Sequence, residues 1–564
     1  MVLKEYTFLF VVGTLFAFLD AWNIGANDVS NSWANSVAAR SVSYLQAMVL
    51  ASIMEFSGAI GVGARVADTI RTKIVDTNAF ADAPELLMLG MVCAVIASST
   101  FLTFATKFGF PVSTTHSLLG GVLGMGIAAV GAKNIKWIGD PKAGSTAVIT
   151  GGVVQVFIAW VIAPLLSGIF AAAIFSITKY GVLLRKNPVI KGLFAVPIYF
   201  AVAAGLLAML LIWKGGSYKV DLTDSQIPGV IVGTGVGFGI MVALFLVPWL
   251  YRVIILEDWQ MKWYHVFYGP LLLKRGEVPP APANFKGPVK NFYEGHLTRE
   301  ELQERRARDA ARRGDVENGA GNKADGVLDG EKAVDSDSAQ DQGVGEMEEK
   351  PKKSMIGPKP DGPWYSGRML FGISSDIQEM HARSQKFDNK AEYLYTFLQI
   401  MTAATASFTH GANDVSNAIG PYATIYDIWK NGELPEAGKA QVPTWILVFG
   451  GAGIVIGLWT YGYNIMKNLG NRLTLQSPSR GFSIEMGGVI TIVLATRLKL
   501  PVSTTQCITG ATVGVGLCNG DWRAINWRMV AWIYLGWFIT LPVTGIISGV
   551  LMGFIINSPR WPTS

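Results

Sequence analysis

Two short polar runs, each present twice, contain the residue types best suited to bind ions. The run PVSTT occupies residues 111–115 and 501–505, and the run GANDVSN occupies residues 25–31 and 411–417. The first run supplies three hydroxyl groups behind a proline, and the second supplies a carboxylate beside an amide. Both runs lie in apolar sequence, where ionisable groups usually serve a function.

Each PVSTT run is predicted to begin a helix, because proline suits the first turn and an apolar segment follows. The free N–H groups and the positive dipole of a helix N-terminus bind anions. Two such termini facing each other could surround phosphate or sulfate. The alternative is that the hydroxyls only cap the helices, but the identical duplication favours binding. The candidate anion ligands are Ser113, Thr114, Thr115, Ser503, Thr504 and Thr505.

Each GAND run is predicted to interrupt an apolar helix, at Gly25 and at Gly411. A bare carboxylate at membrane depth is costly and needs a partner. Neither run contains Lys or Arg, so the partner is a distant element or a bound cation. Amide and carboxylate oxygens suit a small hard cation such as Na⁺, whereas the alternative role is to cap a restarted helix. The candidate cation ligands are Asn27, Asp28, Asn413 and Asp414.

The two kinds of run predict coupled binding. A carboxylate repels a phosphate dianion, by roughly 4 kcal/mol for each pair of unit charges at about 4 Å and an effective dielectric constant of about 20. A site that contains both aspartates and the anion therefore requires cations or protons to bind with it. Because such linkage is reciprocal, the cation and the anion raise each other's affinity, which is the physical basis of symport.

The composition indicates a membrane protein. The chain has 564 residues, of which 50% are hydrophobic and 16% are charged, whereas soluble domains carry about 25% charged residues. Many apolar stretches approach the roughly 20 residues that a spanning helix needs. The net charge of +6 comes without a basic, aromatic surface pattern, which argues against a nucleic-acid partner. The three cysteines have no CxxC spacing, and no cofactor is expected.

The duplication divides the chain into two membrane halves, 1–255 and 393–564, joined by a hydrophilic insert, 256–392. Several apolar segments are short or interrupted by Gly or Pro. They predict broken helices or re-entrant hairpins, which occur at membrane depth where the backbone faces protein or a wet cavity. We expect an all-α polytopic protein with two inverted repeats and about ten to twelve spans, and a site at the repeat interface.

The insert has three parts. Residues 257–295 are aromatic and Pro-rich, and we predict that they are partly ordered. Residues 296–360 are too charged to bury a core and are predicted to be disordered. Residues 367–390 could form a short amphipathic helix. Lysine and arginine residues border the insert on both sides, which places it in the cytoplasm by the positive-inside tendency.

The paired GANDVSN and PVSTT runs around a hydrophilic loop resemble the inorganic phosphate transporter (PiT) family. Stretches such as FAFLDAWNIGANDVSNSWA and LQSPSRGFSIE are most similar to fungal Na⁺-coupled plasma-membrane members. The resemblance implies an inverted-repeat fold and Na⁺:phosphate symport, with phosphate held by the Ser-Thr-Thr runs and Na⁺ near the Asn-Asp pairs. It also implies functional glutamates at Glu55 and Glu485, termini outside and a cytoplasmic insert. A homodimer is a further expectation.

The repeats differ in their histidines. His116 follows the first Ser-Thr-Thr run, whereas Gln506 follows the second; His410 precedes the second GAND run, whereas Ile24 precedes the first. Either histidine could sense the protonation of phosphate or carry a coupling proton. The favoured interpretation is a buried, neutral, hydrogen-bonded histidine.

Three further acids lie in apolar sequence. Glu55 and Glu485 do not align between the repeats, and they are interpreted equally well as cation sites or as acids bound in the packing. Asp20 aligns with Ala406, so it has no acidic counterpart, and the sequence leaves its role open.

The function predicted from these residues is Na⁺:phosphate symport by alternating access, with phosphate, Na⁺ and the lipid bilayer as partners. The alternative in the same class is an H⁺-coupled phosphate or sulfate symporter. A channel or nutrient receptor with the same site but no coupling is a further alternative. An intramembrane enzyme is not favoured, because no HExxH or GxSxG run occurs.

Overall fold

The computed structural model is almost entirely helical in the residues that it describes, which are 4–64, 74–139, 151–214, 222–285, 287–308, 311, 375–435, 442–498 and 502–558. The helices are α1 (Thr7–Asp28), α2 (Ser30–Ala38), α3 (Tyr44–Val62), α4 (Pro84–Phe108), α5 (Thr114–Val130), α6 (Val154–Thr178), α7 (Pro188–Lys214), α8 (Gln226–Leu250), α9 (Ser375–Ala382), α10 (Asn389–Asn431), α11 (Thr444–Tyr461), α12 (Tyr463–Asn471), α13 (Pro478–Arg497), α14 (Thr504–Leu517) and α15 (Trp527–Asn557).

Within these residues, eight helical segments are long and apolar enough to cross a membrane. They comprise α1 continued through α2, and α3, α4, α6, α7, α8, α11 and α15. Many of their large apolar side chains are exposed, as expected for surfaces that contact lipid. The prediction of an all-helical membrane protein is therefore confirmed.

The first PVSTT run lies at the tip of a helical hairpin made by α4 and α5. Gly109 ends α4 with a left-handed conformation (φ 73°), and Ser113 is the N-cap of α5. At the open end, Val75 and Ile135 form an isolated antiparallel bridge. The Lys136 N–H donates to the Ile74 carbonyl at 2.8 Å. The chain thus enters and leaves this hairpin at the same end, and the tip projects into the helix bundle.

The second PVSTT run is placed in the same way, between α13 and α14. The Asn526 N–H donates to the Leu473 carbonyl at 3.0 Å, and the Thr474 hydroxyl donates to the Ala524 carbonyl at 3.1 Å. These bonds close the open end of the hairpin. Ser503 is the N-cap residue of α14. Both runs therefore start a helix, as predicted.

The two hairpins point in opposite directions. The start of α1 lies beside the end of α10, where the Trp429 indole donates to the Thr7 hydroxyl at 3.3 Å, so α1 and α10 run antiparallel. Hairpin α4–α5 lies alongside α1, because the Asn23 amide donates to the Ser99 carbonyl at 3.1 Å. Hairpin α13–α14 lies alongside α10, where the Ser479 N–H donates to Glu392 at 2.8 Å. The tips consequently meet from opposite ends.

The GAND runs do not interrupt their helices, so this prediction was wrong. α1 continues through Gly25 to Asp28 before a one-residue turn, and α10 runs unbroken through Gly411. The glycines permit close packing instead. A Cβ at Gly25 would lie 1.8 Å from the Ile454 carbonyl oxygen, and one at Gly411 would lie 2.2 Å from the Glu55 carbonyl oxygen. Each GAND helix thus packs tightly on a helix of the other half.

The insert is more ordered near the membrane than predicted. The first part contains a 3₁₀ segment, Trp263–Lys274. Residues 299–308 are helical, so the prediction of disorder was wrong for the start of the 296–360 segment. Its ordering follows from contacts that composition does not reveal, such as the ion pair between Arg299 and Asp521 at 2.6 Å. The remainder, 312–360, lies outside the described residues.

Two histidines join the outgoing and returning ends of the insert. We call residues 289–308 and 375–388 the clasp. Within it, Nδ1 of His296 lies 3.1 Å from Nδ1 of His381. Nε2 of His381 lies 2.8 Å from the Asn471 carbonyl oxygen, at the end of α12. Both imidazoles are buried, and the clasp thereby attaches the insert to the second membrane half.

Burial keeps both clasp histidines neutral. It lowers the pKa of His296 to about 2, helped by repulsion from Arg40 and Lys386 and from His381 whenever that ring is protonated. It lowers the pKa of His381 to about 4; the Asn471 carbonyl opposes this shift and Arg480 adds to it. Since both values lie below the ordinary 6.5, the clasp loses stability as the pH falls below about 6.5.

We predict that acidification opens the clasp. Between pH 7 and pH 5, the free energy that holds it closed should fall by about 2 kcal/mol for each histidine, with a slope that approaches about 1.4 kcal/mol per pH unit below pH 6.5. Hydrogen–deuterium exchange of residues 289–308, corrected for the intrinsic pH dependence of exchange, measures this loss. The His296→Gln variant should show a smaller pH dependence, whereas a His265→Gln control outside the clasp should behave as wild type. Equal protection at both pH values would contradict the prediction.

Candidate functional site

Two buried aspartates from different halves form the centre of the molecule. Asp28 ends α1, and Asp414 lies in the middle of α10. Together with His410 they present side-chain oxygen and nitrogen atoms that all lie within 4.8 Å of one another. The predicted pairing of the two GAND runs is therefore present in the structure. The same small space contains two negative side chains, which requires compensation.

Threonines from the hairpin tips supply part of that compensation. The Thr114 hydroxyl donates to Oδ2 of Asp28 at 2.7 Å, and the Thr504 hydroxyl donates to Oδ2 of Asp414 at 3.0 Å. These two bonds are equivalent under the repeat. Each tip is thus bound to the aspartate of its own half.

A second set of bonds crosses between the halves. The Asn31 amide donates to the Thr505 hydroxyl at 2.8 Å, and the equivalent Asn417 amide donates to the Thr115 hydroxyl at 3.1 Å. The Thr505 hydroxyl also donates to Oδ1 of Asp28 at 3.3 Å. Asn31 and Asn417 were not singled out as site residues, although their position in the repeated run was the available signal. The site therefore lies at the interface of the two halves.

The serines of the two runs are placed as helix caps. Ser113 accepts a hydrogen bond from the His116 N–H at 3.2 Å, so the capping alternative describes this residue. Ser503 occupies the N-cap position of α14 without a side-chain cap bond. All six residues of the two Ser-Thr-Thr runs are buried.

Asn27 holds the first tip in place. Its amide nitrogen donates to the Phe110 carbonyl at 2.9 Å and to the Thr106 hydroxyl at 3.1 Å. Its amide oxygen accepts from the Val112 N–H at 3.1 Å. The predicted cation ligand thus serves in this structure to position the hairpin. Asn413 is half-buried beside the centre, and its carbonyl accepts from the hydroxyl of Ser416.

His410 and Glu55 extend the centre on one side only. Nδ1 of His410 lies 2.7 Å from Oε2 of Glu55, and Nε2 lies 3.0 Å from Oδ2 of Asp414 and 4.0 Å from Oδ2 of Asp28. The Ser407 hydroxyl donates to Oε1 of Glu55 at 2.7 Å. His410 is buried and hydrogen-bonded, as expected, but it also connects three carboxylates, which the sequence did not indicate.

The other half has apolar residues at the matching positions. Ile24 corresponds to His410 in the repeat. Ile454 corresponds to Glu55, since the close contact of Gly25 with Ile454 is matched by that of Gly411 with Glu55. The histidine–glutamate pair is therefore an addition to the repeated scaffold, and the fold itself does not require it.

The remaining candidates lie in separate contacts. Glu485 accepts from the Ser36 hydroxyl at 2.7 Å and from the Thr402 hydroxyl at 2.6 Å. Among the described residues, it has no recorded bond to either central aspartate. His116 accepts a hydrogen bond from the Trp160 indole at 3.0 Å, as expected for a hydrogen-bonded core histidine.

The donor set determines what the centre can bind. No lysine or arginine forms an ion pair with the central carboxylates in the described part of the chain, where His410 is their only basic partner. Carboxylate oxygens are ligands for hard cations. The first N–H groups of α5 and α14, with the threonine hydroxyls, are donors for an anion. Cation and anion ligands thus lie side by side.

Comparison with known proteins agrees with this chemistry. The model of the Phosphate transporter family matches residues 24–548. The phosphate-repressible phosphate permease pho-4 of Neurospora crassa is 62% identical, over 100% of this chain and 99% of that protein. Sodium-dependent phosphate transporter 2 of Bos taurus is 28% identical, over 99% of each chain.

One solved structure supports the fold. It is described as the sodium-dependent phosphate transporter, and it matches with a TM-score of 0.65 at 24% identity over 97% of this chain and 99% of that one. A family of transporters also excludes the enzyme alternative. Because the family model covers nearly the whole chain and the repeated motifs meet at one site, this protein belongs to the phosphate transporter family.

Proposed function

We propose that this chain is a Na⁺-coupled symporter of inorganic phosphate. The observation that carries the proposal is the meeting of Asp28 and Asp414 with both Ser-Thr-Thr tips in one buried space. The aspartates would bind Na⁺, and the tips would bind phosphate. Membership of the family and the names of the relatives, a phosphate permease and sodium-dependent phosphate transporters, support this assignment.

The coupling of the two ions follows from a change in the groups that accept hydrogen bonds from the threonine hydroxyls. A threonine hydroxyl has one proton to donate. Thr114, Thr504 and Thr505 donate theirs to the aspartates in this structure. When these hydroxyls turn to phosphate, the carboxylate oxygens lose their donors and become available to Na⁺. The cations in turn screen the aspartates from the phosphate charge, so each ion promotes binding of the other.

The proposal includes an inverted repeat that alternates access to the site. It is supported by the antiparallel α1 and α10 and by hairpins that enter from opposite ends. Seven of the eight apolar segments and α10 cross the membrane fully, and the re-entrant pairs α4–α5 and α13–α14 bring the count to ten, the lower end of the expected ten to twelve. Rocking of one half against the other would expose the centre to each side in turn.

The proposed location is the plasma membrane, with both termini outside and the insert in the cytoplasm. The fungal phosphate permease supports the location, and the lysines and arginines that border the insert support its side. The homodimer stays a prediction.

Proton coupling is the second candidate. His410 lies between Glu55 and Asp414, and such a row of titratable groups could carry a proton with phosphate. The aspartate pair favours Na⁺ over this alternative, because its oxygens form a ligand set for a hard cation.

Uptake into proteoliposomes distinguishes the candidates. An inward Na⁺ gradient should drive accumulation of ³²P-phosphate above equilibrium, whereas a proton gradient in K⁺ medium should drive little. A tenfold excess of sulfate should compete weakly. Uptake that follows the proton gradient and ignores Na⁺ would establish the second candidate and refute the first.

We predict that Asp28→Asn and Asp414→Asn each reduce Na⁺-driven uptake by about a hundredfold or more. Each change removes one charged Na⁺ ligand, and weaker Na⁺ binding also weakens the coupled binding of phosphate. The side chain keeps its shape, so the variant should remain folded. Asp427→Asn on α10 is the matched control, because this carboxylate accepts from Asn431 away from the centre. Normal uptake by either central variant would show that the cation binds elsewhere.

We predict that Thr115→Val raises the phosphate concentration for half-maximal uptake by about tenfold or more, because a hydroxyl that can donate to a charged ligand is lost. Na⁺ dependence at saturating phosphate should change less. The control is Thr491→Val in α13, where the buried hydroxyl donates to Gly487 of its own helix. An unchanged phosphate affinity in Thr115→Val would show that Thr115 is not a phosphate ligand.

A further inference from the structure

Asp20 is a buried acid that has no role in the central site as described above. It lies in α1, eight residues before Asp28, which corresponds to about 12 Å along a helix axis. Its side chain is fully buried, and neither carboxylate oxygen has a hydrogen-bond partner among the described residues. It is nevertheless within electrostatic range of Asp28. A carboxylate in this setting needs a positive partner.

Further acceptors without donors lie beside Asp20. Asn23 is one turn later on the same face of α1. Its amide nitrogen donates to the Ser99 carbonyl and, at 2.9 Å, to the Thr103 hydroxyl, while its amide oxygen has no recorded partner in the described chain. Ser98 interacts with Asp20 across the α1–α4 interface, but among the described residues its hydroxyl makes no hydrogen bond of regular geometry. We call these five residues the α1–α4 seam.

The corresponding seam in the other half shows that the fold does not require these polar groups. There the matching positions include Ala406, Gly488, Val489 and Val493. Ala406, Val489 and Val493 pack with Leu210 in an apolar cluster. The one polar residue at a matching position is Thr409, which corresponds to Asn23, and its hydroxyl donates to the Thr405 carbonyl of its own helix at 2.8 Å. The other matching positions hold alanine, glycine or valine, whereas the first half has oxygen-bearing side chains there. The polar seam therefore serves something other than helix packing.

We propose that the α1–α4 seam binds one Na⁺ ion in addition to those held at the central aspartates. Carboxylate oxygens of Asp20, the amide oxygen of Asn23 and the hydroxyl of Ser98 form an oxygen-only ligand set, which a hard cation prefers. The ion neutralises Asp20 and satisfies oxygen atoms that have no hydrogen bond of regular geometry among the described residues. The identity of the cation rests on the proposed Na⁺ coupling, whereas the ligand set rests on the seam alone.

An ion in the seam has a defined consequence. It adds one Na⁺ to the number bound per chain before phosphate arrives. If it is carried with phosphate, it also steepens the dependence of uptake on Na⁺, because more cations bind for each anion. The second half has mostly apolar residues at the matching positions and would bind no equivalent ion. The two halves would therefore bind different numbers of Na⁺ ions.

Equilibrium binding of ²²Na⁺ to the purified full chain, in choline buffer without phosphate, tests the proposal. Asp20→Asn should bind one Na⁺ fewer per chain than wild type. Ser98→Ala, which removes a neutral ligand, should keep the number but lower the affinity of one ion by about threefold to tenfold. Thr409→Val is the matched control, since Thr409 corresponds to Asn23 in the apolar seam, and it should bind as wild type does.

The outcomes are distinct. If Asp20→Asn binds as many Na⁺ ions as wild type, the seam contains a protonated acid or a water molecule and the proposal fails. If Asp20→Asn does not fold, an unchanged Na⁺ isotherm in Ser98→Ala refutes the proposal instead. Failure of the proposed symport would appear differently, as phosphate uptake that ignores the Na⁺ gradient. Na⁺ binding that depends on Asp20 would stand even then.

Discussion

The repulsion between two buried carboxylates is the constraint on which the rest of the structure depends. Asp28 and Asp414 present oxygens within 4.8 Å of each other. At that distance two unit charges repel by roughly 3 to 4 kcal/mol at an effective dielectric constant of about 20. Donors from the two hairpin tips and His410 compensate part of this charge, and in the proposed symport a transported cation compensates the remainder. The negative charge at the site is therefore fully compensated only when a cation binds.

The fold brings four segments to this point by close packing. The two GAND helices approach helices of the opposite half so closely that no side chain larger than glycine fits at Gly25 or Gly411. The two hairpin tips arrive from opposite ends and are tied across the halves by Asn31 and Asn417. Because each tip contacts both halves, a movement of one half would alter the proposed ligands of both ions together, as the proposed alternating access requires.

The repeated scaffold carries chemistry that is not repeated. His410 and Glu55 have isoleucines at the matching positions, and Asp20 has Ala406. Packing alone is satisfied by the apolar version in each case. The titratable groups are therefore additions, one set on each side of a symmetric core. With the proposed ion coupling, such asymmetry would give the two halves different affinities for cations and protons.

The sequence by itself determined the helical membrane class, the two halves and the placement of Ser113 and Ser503 at helix N-termini. These features follow from hydropathy, duplication and the local geometry of proline, which act over a few residues. Only the tertiary structure decided that α1 and α10 continue through Gly25 and Gly411 and that the start of the charged insert is ordered. It also decided that His410 connects Glu55 to Asp414. Contacts between residues that lie hundreds of positions apart in the chain depend on how the helices pack. The spacing of residues within one segment does not determine that packing.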